Sequence, residues 1–167
     1  HLSALADRHK TDKQGQFSSV CIAAEYPSRH ASRFEQEVHP KLVKMFQALG
    51  IRNGVLLIQF FVDDTAFYAY DPGFRLQGEA PHLYLKHFNH FDHREMLLRF
   101  AMAGSMWPGD FHQVNDPAFK GQYATTLWVL LRAGRVGTVA GMDAVRAHPQ
   151  VIEVLQRFQP GDVVGAD

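Results

Sequence analysis

The feature that most constrains the fold is an apolar segment, Val55–Val62, which contains a single polar residue, Gln59. A short apolar run rich in β-branched and aromatic residues is typical of a strand. Asp63-Asp64-Thr65 then supplies turn-forming residues, and Ala66–Tyr70 returns to strand-forming residues. The sequence therefore predicts an antiparallel hairpin over residues 55–70.

Two polar side chains stand out on this hairpin. Asp71 ends the return strand, twelve residues after Gln59, so a tight turn should bring the two side chains together. Carboxylate and amide oxygens are hard ligands that suit Mg²⁺, and Arg75 could grip a phosphate bidentately. Gly73 and Gly78 would let the backbone approach a ligand closely. The ordinary alternative is a hydrogen-bonded strand Gln followed by a common turn Asp.

The segments Leu57–Phe61 and Tyr68–Arg75 resemble the metal-binding hairpin of ATP-grasp enzymes, in particular ATP-grasp domains of the carbamoyl-phosphate synthase large-chain type. The family pattern has Gln or Glu on one strand and Glu-x-Asn-x-Arg at the end of the next. The resemblance implies that Gln59 and Asp71 are Mg²⁺ ligands and that Arg75 is the catalytic residue that contacts phosphate.

The hairpin departs from the family pattern at two positions. Asp71 stands where the family has Glu, one methylene longer, and Gly73 stands where the family has an Asn ligand. Water or a backbone carbonyl could complete the coordination of Mg²⁺, which keeps waters readily.

The resemblance implies part of an ATP-dependent carboxylate–amine or similar ligase that works through an acylphosphate. Its cofactors would be ATP and Mg²⁺, bound by Gln59, Asp71 and Arg75. Its partners would be a small-molecule carboxylate substrate and the N-terminal ATP-grasp lobe of the same polypeptide, and this chain alone should not turn over ATP. One alternative is a non-catalytic ATP-grasp-like module that binds a nucleotide or another ligand. An unrelated α+β domain that only mimics the pattern is the other.

The remaining sequence alternates between strand and helix patterns. Ser32 with Glu35, and Asp92 with Glu95, match capping boxes at helix starts, while Gly50 and Gly104 suit helix ends. Pro40 either kinks the first helix or begins a second one. The further predicted elements are strands at Leu2–Arg8, Phe17–Ala24, Tyr123–Leu131, Val136–Ala140 and Val151–Phe158, a turn at Thr11–Gln16 and a helix at Met142–His148.

These elements predict an α+β fold with a mostly antiparallel sheet and flanking helices. With the resemblance, residues 1–105 would be the C-terminal lobe of an ATP-grasp domain. Residues 106–167 would be a truncated β-rich extension, and both ends of the chain are expected to be cut.

Composition narrows the class of partner. The chain has 17 basic and 17 acidic side chains, which argues against nucleic-acid binding. No stretch is long and apolar enough to cross a membrane. The lone cysteine, Cys21, is expected to be buried and inert and is compatible with a reducing cytoplasm. Trp107 and Trp128 are expected in the core or in a subunit contact, which leaves a homodimer open.

A histidine-rich segment follows the hairpin. It contains His82, His87, His90 and His93. Neutral His binds zinc, and His87 and His90 are spaced to share a helix face, but no Cys accompanies them. A structural or solvated role is the main expectation, with metal binding and substrate contact as alternatives.

Overall fold

The computed structural model describes residues 1–13 and 16–165 and has an α+β fold. The predicted turn at Thr11–Gln16 lies partly outside these residues. The helices and strands are β1 (Asp7–Lys13), β2 (Gln16–Tyr26), α1 (Ala31–Glu37), α2 (His39–Ala48), β3 (Leu57–Val62), β4 (Phe67–Gly73), α3 (His82–Asn89), α4 (His93–Ala103), β5 (Ala124–Leu127), β6 (Gly134–Arg135), α5 (Met142–Arg146) and β7 (Val163–Val164).

The strands form small sheets. β1, β2 and β5 are neighbours in that order, β3 pairs with β4, and β6 pairs with β7. The last two pairings are antiparallel. The chain divides into two compact units, one of His1–Arg8 with Ala24–Thr126 and the other of His9–Ala23 with Leu127–Asp167. The units therefore divide after Arg8, Ala23 and Thr126. The division at residue 105 into an ATP-grasp lobe and an extension stays a prediction.

The N-terminal strand lies later in the chain than predicted. β1 starts at Asp7, so most of the expected Leu2–Arg8 strand is irregular. The carbonyl of Leu5 accepts a hydrogen bond from the Ser28 amide, in the turn after β2, at 2.8 Å instead of pairing in a ladder. β2 contains the whole predicted strand and extends it to Tyr26.

The first helical region shows how Pro40 acts. α1 ends at Glu37, and α2 begins at His39 with Pro40 in its first turn, where a missing N–H costs nothing. Gly50 ends the region with a φ of +72°, and the amides of Gly50 and Ile51 bond to the carbonyls of Gln47 and Phe46. This is the glycine-terminated Schellman arrangement.

The Ser32 capping prediction is wrong. Ser32 lies inside α1, which starts at Ala31 after His30, and no side chain caps that end. The hydroxyl of Ser28 accepts from the His30 amide instead, at 3.0 Å. The capping pattern placed the start too late because the turn at Ser28 already directs the chain into the helix.

The second capping prediction is confirmed in its main part. Asp92 is the N-cap of α4, accepts from the Arg94 amide, and has a side chain that is 1% exposed. Gly104 ends the helix with a φ of +71°. Glu95 does not reach back to the cap, because it pairs with Lys86 at 2.7 Å.

The sequence did not predict α3, which buries Tyr84, Leu85 and Phe88.

The predicted β-rich tail is wrong in extent. Of the strands expected over 123–131, 136–140 and 151–158, the first shrinks to β5 and the other two are irregular. The short pair of β6 and β7 lies outside the expected ranges. Val129 is 86% exposed and Leu155 72% exposed, so their apolar patterns have no buried face. Strand propensity forms a strand only where a partner supplies the hydrogen-bond ladder. The predicted helix appears as α5, two residues shorter than expected.

Aromatic clusters form the core of the first unit. Tyr26 packs on Tyr84, and Phe119 stacks on Phe88 with ring centroids 5.1 Å apart. A second cluster joins α1 to the hairpin: the ring of Phe34 lies 5.4 Å from Phe60 and 5.6 Å from Phe67. Phe34 is 3% exposed, so this contact fixes which face of the hairpin is buried.

The two candidate caps can be separated by mutation. We expect Asp92→Ala to lower the free energy of unfolding by about 1–2 kcal/mol, because α4 loses its N-cap. The matched variant, Ser32→Ala, should leave stability almost unchanged, since Ser32 is exposed inside α1. Urea unfolding followed by circular dichroism measures both. Equal losses in the two variants would contradict this assignment of the caps.

Candidate functional site

The hairpin carries a β-bulge opposite Gln59. Phe60 pairs with Ala69 and Gln59 pairs with Asp71, so Tyr70 is an extra residue between the two pairs. A bulge of this kind re-aims side chains locally. Here it brings both Tyr70 and Asp71 opposite Gln59, and the predicted proximity of Gln59 and Asp71 is confirmed.

The Gln59 amide is held on both of its ends. Its nitrogen donates to Asp71 Oδ2 at 2.5 Å, and its oxygen accepts from the Tyr70 hydroxyl at 2.7 Å and from the Arg8 guanidinium. A guanidinium can only donate, so the amide oxygen must face Arg8 and the amide nitrogen must face Asp71. The contacts therefore set the orientation of the amide.

Arg8 joins this pair to a second carboxylate. Its other terminal nitrogen lies 2.7 Å from Glu79 Oε1, and Gln77 donates to Glu79 Oε2 at 2.6 Å. The side chains of Arg8 and Glu79 are 28% and 15% exposed. One guanidinium thus lies between the Gln59 amide and the Glu79 carboxylate, at the edge of the hairpin.

Arg75, the guanidinium expected at this site, lies elsewhere. It is exposed and donates to the carbonyl of Leu76 at 3.0 Å. Its side chain covers Gly73: a β-carbon added at Gly73 would lie 3.3 Å from Arg75 Nε. Gly73 itself contributes no side chain, so the structure brings Gln59 and Asp71 together but not Arg75.

Sequence reasoning missed Arg8, Tyr70 and Glu79. Arg8 is 51 residues from Gln59, and no local pattern reports a contact of that range. A signal for Tyr70 did exist, since it directly precedes Asp71 on the return strand, but only the bulge turns it towards Gln59. Glu79 lies in the loop after β4, where the sequence pattern singled out Arg75 and Gly78 but not Glu79.

The hairpin turn is closed by Asp63. Its Oδ1 accepts from the hydroxyl of Thr65 and from the amides of Thr65 and Ala66, at 2.7 to 2.9 Å. The Thr65 hydroxyl and the two backbone bonds lower the pKa of Asp63 from 3.8 to about 2. The carboxyl is exposed, so it shapes the turn, as the predicted solvated turn requires.

The four histidines fall on different elements. His82 and His87 lie on α3, His90 follows it with a φ of +61°, and His93 begins α4. Burial lowers the pKa of His93 to about 4, and its Nε2 lies 3.3 Å from the Ser3 hydroxyl. Within residues 1–13 and 16–165, no group of three or more His, Cys, Asp or Glu side chains is placed to hold a metal.

Other singled-out residues have ordinary surroundings. Cys21 is half-buried rather than buried, and its thiol donates to the carbonyl of Ala23 at 3.1 Å. Trp107 is half-buried against Phe91 and Phe111. In the described part of the chain, no helix is both long and apolar enough to cross a membrane.

The chain matches no model of a known protein family, no curated protein and no solved structure. The site must therefore be judged on its own geometry.

The Asp63 turn gives a pH dependence with a defined sign. Because its folded pKa is about 2, below the ordinary 3.8, Asp63 adds stability above pH 4 that is lost as the pH falls towards 2. We expect Asp63→Asn to flatten that part of the stability–pH profile, measured by thermal unfolding between pH 2 and 5.

The neighbouring Asp64 provides the control for that measurement. The turn's hydrogen bonds go to Asp63, so Asp64→Asn should keep the wild-type profile. If Asp63→Asn also kept the wild-type slope, the hydrogen-bonded turn could not be a source of acid sensitivity.

Proposed function

We propose that this chain is part of an ATP-grasp carboxylate–amine or similar ligase, in which the Gln59–Asp71 pair lies at the Mg²⁺-ATP site. The supporting observation is the cross-strand contact of the two side chains at the bulge. The family pattern needs these two groups on adjacent strands and on one face. The contact meets that requirement although the residues lie twelve apart in the chain.

The donor chemistry fits Mg²⁺. Asp71 supplies a carboxylate and Gln59 an amide oxygen, both hard ligands. Asp71 is the stronger candidate, because one of its oxygens accepts the amide proton and the carboxylate has a second oxygen. The oxygen of Gln59 would have to give up a present hydrogen bond in order to bind a cation, and the amide would have to turn, because its nitrogen now faces Asp71.

The proposed reaction has two steps. An oxygen of the substrate carboxylate attacks the γ-phosphorus of ATP, the bond to ADP breaks, and an acylphosphate forms. An amine or similar nucleophile then attacks the acyl carbon, and inorganic phosphate leaves. Bound Mg²⁺ would neutralise charge on the transferred phosphoryl group. Asp71 and Gln59 would orient the ion, and Arg75 is assigned the phosphate contact by resemblance.

The proposal includes the surroundings of the site. The phosphate-holding Lys residues and the adenine pocket are assigned to an N-terminal lobe of the same polypeptide. The substrate is a small carboxylate, and a cytoplasmic setting and a homodimer remain predictions from sequence.

A second candidate function is a non-catalytic module that binds a nucleotide or another ligand with the same fold. Two observations favour it: Gly73 supplies no ligand side chain, and the Gln59 oxygen is already hydrogen-bonded to Arg8 and Tyr70. The two candidates differ in phosphate release from ATP by the polypeptide that carries both lobes.

The role of Asp71 can be tested on this chain with Mn²⁺ as a paramagnetic substitute for Mg²⁺. We expect Asp71→Asn to weaken Mn²⁺ binding by about tenfold or more, because the site loses its carboxylate ligand. Asp64→Asn removes an exposed carboxylate from the same hairpin and should bind Mn²⁺ as the wild type does. Electron paramagnetic resonance of free Mn²⁺ gives both affinities. Equal affinity in the wild type and Asp71→Asn would reject the proposed metal role.

Gly73 offers the complementary experiment. Gly73→Asn would restore the family's Asn ligand on the same strand face as Asp71, so we expect tighter Mn²⁺ binding. A new β-carbon would press on the Arg75 side chain at 3.3 Å, and that exposed side chain can shift. Gly73→Ala adds the β-carbon without the ligand and should leave the affinity unchanged. If both variants bind Mn²⁺ alike, position 73 does not face the ion.

A further inference from the structure

We propose that Arg8 is the internal counter-ion of the Gln59–Asp71 site and competes with a divalent cation for the Gln59 oxygen. The inference rests on the proposed function, since it concerns the same oxygen atoms. It adds a residue from the N-terminal segment to a site that the hairpin sequence alone seemed to define.

The Gln59 oxygen is already occupied by two hydrogen bonds. An amide oxygen has two lone pairs, and here one faces the Tyr70 hydroxyl and the other faces the Arg8 guanidinium. A cation that takes this oxygen as a ligand must displace one of them. A hydroxyl can rotate away locally, whereas a guanidinium keeps its charge beside the site.

The charge of Arg8 also acts on a cation that binds at the site. Asp71 and Glu79 contribute carboxylates to this network, and Arg8 is ion-paired to Glu79 and hydrogen-bonded to Gln59. The positive charge of Arg8 therefore offsets part of the negative potential that would attract a divalent cation. Removing one unit charge a few ångströms from a divalent ion changes its affinity by on the order of tenfold, even in a water-like dielectric.

Arg8 also forms an ion pair with Glu79, which can hold it when it leaves Gln59. Its ion pair with Glu79 at 2.7 Å does not involve Gln59, so the guanidinium can leave the amide oxygen and keep one carboxylate partner. Gln77 holds the other oxygen of Glu79 and so limits the movement of that carboxylate. The arrangement provides two states for Arg8 with respect to Gln59: bridging Gln59 and Glu79 without the ion, and paired with Glu79 but released from Gln59 with it.

The test compares Mn²⁺ affinity of the whole chain in four proteins: wild type, Arg8→Gln, Arg8→Lys and the distant exposed control Arg99→Gln. We expect Arg8→Gln to bind Mn²⁺ several-fold to tenfold more tightly, and Arg8→Lys, which keeps the charge, to remain near the wild type. Arg99→Gln should match the wild type. Circular dichroism shows whether each variant is folded.

The outcomes separate this inference from the proposed function. Unchanged or weaker Mn²⁺ binding in Arg8→Gln overturns the role of Arg8 if Asp71→Asn still loses affinity. An Asp71→Asn variant that binds normally rejects the metal site itself. Equally tight binding in Arg8→Gln and Arg8→Lys would show that side-chain shape, and not charge, sets the affinity, which also overturns the inference.

A measurement on the wild-type chain covers the case in which Arg8→Gln does not fold. The Arg8 Nε–H resonance, assigned by its loss in Arg8→Lys, should shift when Mg²⁺ replaces Na⁺ at equal ionic strength. A resonance that stays in place while the signals of Asp71 respond would overturn the proposed competition.

Discussion

The bulge opposite Gln59 is the constraint on which the candidate site depends. Regular antiparallel pairing from Phe60 and Ala69 would continue as Gln59 with Tyr70 and would place Asp71 opposite Ile58, on the other face of the hairpin. The extra residue shifts the register by one. Asp71 therefore lies on the same face of the hairpin as Gln59. Without the extra residue, the Gln59 amide and the Asp71 carboxylate would lie on opposite faces.

Packing on the opposite face keeps this register. Phe60 and Phe67 lie against Phe34 of α1, and the ring centroids of Phe60 and Phe67 are 6.2 Å apart. A one-residue slip would move these aromatic rings away from the buried side of α1, at a cost of about 1.5–3 kcal/mol for each ring exposed. The aromatic cluster lies on the opposite face from Gln59 and Asp71. It stabilises their contact by holding the register of the hairpin.

Sequence patterns predicted the features that depend on near neighbours. The apolar strand around Gln59 and the glycine end at Gly50 follow from local sterics and hydrogen bonding, and they are confirmed. Of the two roles left open for Pro40, the structure has the start of a second helix. The Ser32 cap was wrong because the turn at Ser28 starts the helix earlier. The long strands of the tail were wrong because strand propensity needs a partner strand, which the described fold does not supply there. Arg8 could not be assigned locally, since its partners Gln59 and Glu79 come from distant segments.

The burial of the Glu79 carboxylate explains why the Arg8 guanidinium lies beside it. Glu79 is mostly buried and Asp71 half-buried, and carboxylates in such places need a compensating charge or strong hydrogen bonds. Arg8 supplies that charge in the folded chain, and a divalent ion bound at Asp71 would supply more of it. The same negative potential stabilises Arg8 and, under the proposed function, would attract a metal ion. Such a site would bind a divalent cation weakly until Arg8 moves aside, which would tie metal affinity to the position of one side chain from β1.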